Sequence, residues 1–183
     1  AQIAFKLQDL AYQTDELIAF RKSLVEDMVR KVNAQNADIV VLAGDIFDNY
    51  YDALDDPDRL CELLGSMNSR YGTYGCYGNH DIEERLLGGF SVDFNNNNLR
   101  DEKMEDFMKK TGIHMLLDEC ILIDNSFYLA GRLDIEKPGS ANIDKRLTAN
   151  ELLEGIDYSK PVIVMDHQPK KLKELANAGC DLD

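Results

Sequence analysis

The sequence predicts an α/β fold built on mixed β-sheets, and three observations carry the prediction. Short β-branched and aliphatic runs alternate with segments of helical period, the pattern of strands packed against helices. Two of the runs, 38–43 and 161–165, are apolar almost throughout, as in strands covered on both faces of a parallel sheet. Between residues 113 and 130 three more runs follow one another, an antiparallel stretch. At 183 residues the chain fits one domain, 1–183, large enough to bury roughly 70% of its unfolded surface.

Ile3–Leu7 reads as a first strand. Leu17, Ile18, Leu24, Val25, Met28, Val29 and Val32 then recur on one helical face over about 15–34, with Thr14 as N-cap. The run 38–43 stops at Gly44. Asp56-Pro57 opens the next helix, Asp56 capping it and Pro57 in its first turn; Leu60, Leu63, Leu64 and Met67 give it an apolar face. Gly72–Tyr77 reads as a strand with close backbone approach at its glycines. From 84 to about 100 the pattern weakens, and Asn95–Asn98 mark an exposed loop. A polar-faced helix over about 102–110 precedes strands at 113–117, 120–123 and 127–130, the last two joined by an Asp124-Asn125-Ser126 turn. Thr148 and Glu151 form the capping-box pattern of a helix start. The run 161–165 leads to a helix over 170–178 that Gly179 ends, and Cys180–Asp183 begins another strand.

Composition narrows the function. Acidic residues number 34 against 20 basic ones, a net charge of −14, so no nucleic-acid partner is expected unless a local cation intervenes. A hydrophobic content of 44% excludes a disordered chain. No run approaches the ~20 apolar residues of a membrane span, and no targeting segment opens the chain. Cys61, Cys76, Cys120 and Cys180 lie far apart and read as small buried hydrophobes rather than disulfide or zinc ligands. The chain starts at Ala1, as a cut domain or a protein that has lost its initiator methionine would.

The chemically distinctive residues fall just past the C-terminal ends of strands, where open α/β sheets place ligands. Gly44-Asp45-Ile46-Phe47-Asp48, Gly78-Asn79-His80-Asp81 and Asp166-His167-Gln168-Pro169 each follow a strand run. Each delivers an oxygen or imidazole donor on a turn where the backbone bends sharply. Singly, a Gly-Asp pair is a turn and an Asn-His pair a loop. Two of only three histidines at such strand ends point instead to a site. Oxygen and imidazole donors without thiolate suit a divalent ion such as Mn²⁺, Fe²⁺ or Zn²⁺. Such an ion supplies the positive charge this acidic chain lacks for a phosphate, and lowers the pKa of water toward ~7. His114, inside a strand-like run, is read as structural. Tyr50 and Tyr51 follow Asp48 and either pack internally or stack on a base or sugar.

Gly44-Asp45-x-x-Asp48, Gly78-Asn79-His80-Asp81 and a strand ending at His167, in this order, resemble the calcineurin-like metallophosphoesterase superfamily. The resemblance covers nearly the whole chain, and its wider texture is similar to the bacterial single-domain phosphohydrolases near the UDP-diacylglucosamine pyrophosphatases. It implies a four-layer αββα sandwich of two mixed sheets flanked by helices. It also implies two divalent ions (manganese, iron or zinc) bridged by one aspartate and a water. Carried over, Asp45 is the bridging carboxylate, Asp9 a ligand of the first ion, and Asn79 and His167 ligands of the second. His80 is the general acid beside the leaving oxygen and Asp48 its carboxylate partner; such a partner fixes an imidazole's tautomer and raises its pKa. The implied reaction is hydrolysis of a phosphate mono-, di- or pyrophosphate ester by a metal-bridging hydroxide. The implied substrate is a phosphorylated small molecule or a lipid-linked one, and the implied location is cytoplasmic or membrane-associated, through a tether outside this chain.

The chain departs from the family at both ends. Asp9 matches the first motif, Asp-x-His, but Ala11 stands where its histidine should be. The last motif, Gly-His-x-His, is missing, since the sequence stops at Asp181-Leu182-Asp183 where a strand leading into it would begin. Truncation at the C-terminus is therefore expected; the alternative is a catalytically dead relative acting as a binding or scaffold module. With Asp9, Asp45, Asn79 and His167 alone, the polypeptide is expected to hold at most one divalent ion, weakly.

Overall fold

The computed structural model describes residues 19, 21–47, 51–82, 86–87, 90–91, 101–137 and 145–183. Helix α1 spans 21–34 and leads to strand β1 (Val40–Ala43). A 3₁₀ turn at Tyr51–Ala53 precedes α2 (Pro57–Gly65) and β2 (Thr73–Cys76). Two short strands follow, β3 (Leu86–Leu87) and β4 (Phe90–Ser91), then α3 (Glu102–Thr111) and β5 (His114–Met115). The second half holds β6 (Glu119–Ile123), β7 (Phe127–Gly131), α4 (Ala149–Leu152), β8 (Val162–Met165) and α5 (Leu172–Asn177).

The protein is α/β, with two three-stranded sheets. The first, ordered β1-β2-β5, is parallel, and its register sets Val40 opposite Thr73 and Ala43 opposite Cys76, so β1 and β2 end level. The second, β6-β7-β8, is mixed: β6 and β7 form an antiparallel pair and β8 runs parallel to β7. Leu182 extends it by a parallel bridge to Ile163, in keeping with a strand beginning near Cys180.

Three cores join these parts. Val29, Leu63, Leu64, Met104, Phe107 and Met108 from α1–α3 pack with Val40 of the first sheet. Ala149, Leu152 and Leu175 from α4 and α5 pack with Ala130, Val162 and Val164 of the second. Between the sheets, Tyr74 and Cys76 meet Ile123, Leu129 and Met165. Tyr74 and Cys76 share a face because strand side chains alternate with period two. The four-layer sandwich that the resemblance implies is compatible with these three cores.

Two of the predicted caps form as read, and the third, Thr14, lies outside the described residues. Asp56 accepts from the Arg59 N–H, and Thr148 and Glu151 make the reciprocal capping box. Two readings change. β1, expected to be buried on both faces, leaves Val41 45% exposed as the edge strand of the described sheet. The weak stretch after residue 84 contains the β3–β4 antiparallel pair, too short for a periodic signal. The strand read at Ile3–Leu7 and the Asn95–Asn98 loop lie outside the described residues. All four cysteines are free thiols, Cys76 fully buried and the others partly so.

Candidate metal centre

The level ends of β1 and β2 bring the first two motifs side by side. Beyond Ala43 the chain turns through two consecutive left-handed residues, Gly44 (φ 82°) and Asp45 (φ 49°). Aspartate is among the few L-residues that tolerate this region, and a left-handed non-glycine residue there is strain of the kind functional turns store. The turn aims the Asp45 carboxylate across at the β2 loop, where Oδ1 accepts the His80 backbone N–H at 3.0 Å.

Asp81 holds that arrangement from below. It is 2% exposed and accepts the N–H of Gly78 and of Phe47, each at 2.7 Å, fastening its own loop to the one carrying Asp45. Burial pushes its carboxyl above the ordinary carboxylate range, and the backbone donors oppose that rise. Gly78 leaves no room for a side chain, since a methyl there would fall on Asp45 Oδ1.

His167 arrives from the second sheet, two residues past β8. Its Nδ1 lies 2.9 Å from the Ala43 carbonyl and its Nε2 lies 3.1 Å from Asp45 Oδ2. A carbonyl only accepts, so Nδ1 carries a proton, and Nε2 faces Asp45 either as a lone pair or as a second N–H. Two lone pairs at that distance repel unless a proton or a cation lies between them. Metal-binding histidines commonly give their other N–H to a backbone carbonyl in this way. Two donors on one ion, at bonds of about 2.1 Å and angles of 90–110°, sit about 3.0–3.4 Å apart, so the observed spacing fits. Asn79 completes the local set; its Oδ1 accepts from Gln168 Nε2 at 3.1 Å. The Asp45–His167 spacing is one that two donors sharing an ion would take. Among the described residues no three His, Cys, Asp or Glu side chains converge to hold a metal.

The structure thus brings Asp45, Asn79, His80 and His167 to one end of the two sheets. Asp9 lies outside the described residues, and so does Asp48, the carboxylate that the resemblance implies for His80. His114 lies apart on β5, its ring 5.4 Å from that of Tyr74. Sequence reading passed over the charges beneath His167. Asp166, its side chain fully buried, takes Arg146 Nη1 at 2.7 Å and Arg132 Nη1 at 3.3 Å. Arg132 and Arg146 also reach the carbonyls of Leu147 and Leu133. Arg132 Nε, Arg146 Nη2 and Asp134 Oδ2 are buried without a hydrogen-bond partner among the described residues.

Residues 13–181 match the profile of the calcineurin-like phosphoesterases. The chain belongs to the calcineurin-like phosphoesterase family. This calcineurin-like phosphoesterase is similar to an uncharacterized metallophosphoesterase of Aquifex aeolicus, 28% identical over 84% of this chain and 52% of that protein. It is also similar to a Danio rerio protein named a transmembrane protein with metallophosphoesterase domain, 27% identical over 88% of this chain and 34% of that one. An uncharacterized metallophosphoesterase of Campylobacter jejuni is 26% identical over 81% of the chain and 34% of its own length. The chain therefore spans about half of the first of these relatives and a third of the others. No solved structure matches it.

Proposed function

We propose that the protein is a metal-dependent phosphohydrolase that cleaves a phosphate mono-, di- or pyrophosphate ester. The observation that supports this most is the 3.1 Å approach of His167 Nε2 to Asp45 Oδ2, a spacing that suits two ligands of one ion, at the strand ends of a calcineurin-like phosphoesterase. Asp45, Asn79 and His167 would hold one divalent ion, and Asp9 with Asp45 part of a second. Bound there, such ions stabilise charge on phosphoryl oxygens and lower the pKa of water. His80, exposed beside Asp45, gives its proton to the leaving oxygen, with Asp48 orienting its ring. Asp81 keeps the His80 and Asp45 loops in register, and Ala43 O holds the His167 tautomer.

A second reading, a catalytically dead binding or scaffold module, draws on Ala11, which stands where the family's first motif has histidine. Both readings allow membrane association. No described helix is long and apolar enough to cross a membrane, while the Danio rerio relative is named a transmembrane protein. Hydrolysis of nitrophenyl phosphate esters by the full-length protein with Mn²⁺, abolished by a chelator, is the expected result. A protein that retains metal and hydrolyses none of them would be the binding module.

A further inference from the structure

Three consecutive residues carry the second sheet's share of the centre. Asp166, His167 and Gln168 follow directly on β8, and each makes a different contact. His167 Nε2 approaches Asp45 Oδ2 at 3.1 Å, and Gln168 Nε2 donates to Asn79 Oδ1 at 3.1 Å. The imidazole has little play. A methyl added to Gly44 would lie 2.5 Å from its Nδ1, and one added to Gly78 would lie 2.8 Å from its Cδ2. Asp166 turns the other way, its side chain fully buried. Its Oδ1 accepts from Arg146 Nη1 at 2.7 Å and its Oδ2 from Arg132 Nη1 at 3.3 Å. The same arginines also grip backbone: Arg132 Nη2 donates to Leu147 O at 2.9 Å and Arg146 Nη1 to Leu133 O at 3.2 Å. Arg132 gives its own backbone N–H to Met165 O at 3.0 Å. The end of β8 is thus stapled to the end of β7 and to the approach to α4.

We propose that Asp166 is a positioning residue of the metal centre, whose arginine-held carboxylate fixes the strand end that presents His167 to the ion and Gln168 to Asn79. The inference rests on the metal-dependent reading above. A buried ion cluster is a poor source of stability, since apolar side chains of similar volume often serve as well or better. What it supplies is direction. Charge-assisted hydrogen bonds to both oxygens of one carboxylate set its orientation as well as its depth. Apolar packing at the same place fills the space and leaves the strand end free to turn. The difference matters here because ligands must be held within about 0.5 Å of their working geometry.

The test uses full-length wild type and four variants. Three alter the cluster: Asp166→Asn, Arg132→Lys, and a triple exchange of Arg132→Met, Arg146→Met and Asp166→Leu. The fourth, Leu64→Ala, is a control in the core near the C-terminal end of α2, which leads to the start of β2, the end of the sheet away from the centre. Three quantities are read: urea unfolding, Mn²⁺ affinity by calorimetry, and backbone hydrogen exchange over 162–168 in the metal-free protein. Asp166→Asn should weaken Mn²⁺ binding by about 10–100-fold, the usual cost of losing support behind a ligand, and speed exchange at the strand end. Arg132→Lys keeps the charge, but one ammonium cannot span Asp166 and Leu147 O together, so a smaller loss is expected. The triple exchange should unfold no more readily than wild type and still bind Mn²⁺ as poorly as Asp166→Asn. Leu64→Ala should unfold more readily and bind Mn²⁺ as wild type does. Wild-type Mn²⁺ affinity in whichever cluster variants fold would overturn the proposal and leave the cluster a structural one. A loss in Leu64→Ala as large as in Asp166→Asn would overturn it too. A wild type that binds no Mn²⁺ overturns the metal-dependent reading itself, and this inference with it.

Discussion

His167 Nε2 and Asp45 Oδ2 lie 3.1 Å apart, although one residue follows a strand of the second sheet and the other a strand of the first. The contact is fixed from both sides. Nδ1 of the same ring is tied to Ala43 O, and the other oxygen of the same carboxylate is tied to the His80 N–H. Neither group can swing away alone.

Removing either partner should therefore remove the ion. Asp45→Asn and His167→Ala are expected to weaken divalent-metal binding by at least about 100-fold, since loss of an outer-shell partner alone costs 10–100-fold. His114→Ala, on β5 away from the centre, should leave it unchanged. Elemental analysis after gel filtration reads the difference. Two tightly held ions in the 183-residue chain would show that ligands beyond Asp9, Asp45, Asn79 and His167 complete the site.

Gly78→Ala should damage the site more than the fold. The added methyl would meet Asp45 Oδ1 and lie 2.5 Å from the Asp45 N, so the carboxylate or its loop must move. A stability loss of about 1–3 kcal/mol is expected from such overpacking, together with loss of metal binding. Urea unfolding and calorimetry measure the two. Retained metal affinity would mean that the Asp45 loop yields without consequence.

The general-acid role proposed for His80 predicts a dependence on the leaving group. His80→Ala should lower kcat by roughly 10²–10⁴-fold for an alkyl phosphate, whose leaving oxygen needs a proton. A nitrophenyl ester needs little protonation and should lose much less, with metal content unchanged. Equal losses on both substrates would assign His80 another role.

Cys76 offers a check on the core between the sheets. Burial pushes its thiol up to about 12, with Asp166 and Asp81 adding to the rise. Below that value the folded protein keeps the thiol protonated, while an unfolded cysteine ionises near its ordinary ~8.5. At pH 8 iodoacetamide should spare Cys76 in the native state and label it in urea; mass spectrometry of the peptides decides. For the same reason this residue's contribution to stability is present below about pH 8.5 and lost as pH rises toward 12.

How much of this was legible in the sequence depends on the distance over which each feature is encoded. β8 and the strand ends at Gly44 and Gly78 were legible, because apolar runs and glycine turns are local signals. The helix starts at Asp56 and Thr148 were legible because a cap is written within four residues. β3 and β4, two residues each, give no period to detect. Asp81 was visible as part of a motif, but its two backbone partners depend on tertiary approach: Phe47 belongs to the other loop. The pairing of Arg132 and Arg146 with Asp166 was illegible for the same reason, since nothing in the spacing of three charged residues says that all three are buried.

The division of the centre between two sheets has a mechanical consequence. Asp45, Asn79 and His80 move with one sheet and His167 with the other, and the sheets touch through Tyr74, Cys76, Leu129 and Met165. A displacement of a few tenths of an ångström between them changes the spacing of the proposed ligands directly. Affinity for an ion is thus a gauge of how the two halves are seated. An ion held in common turns two separately packed units into one that must come apart together, so repacking a remote residue such as Leu129 can retune the chemistry without touching any group that performs it.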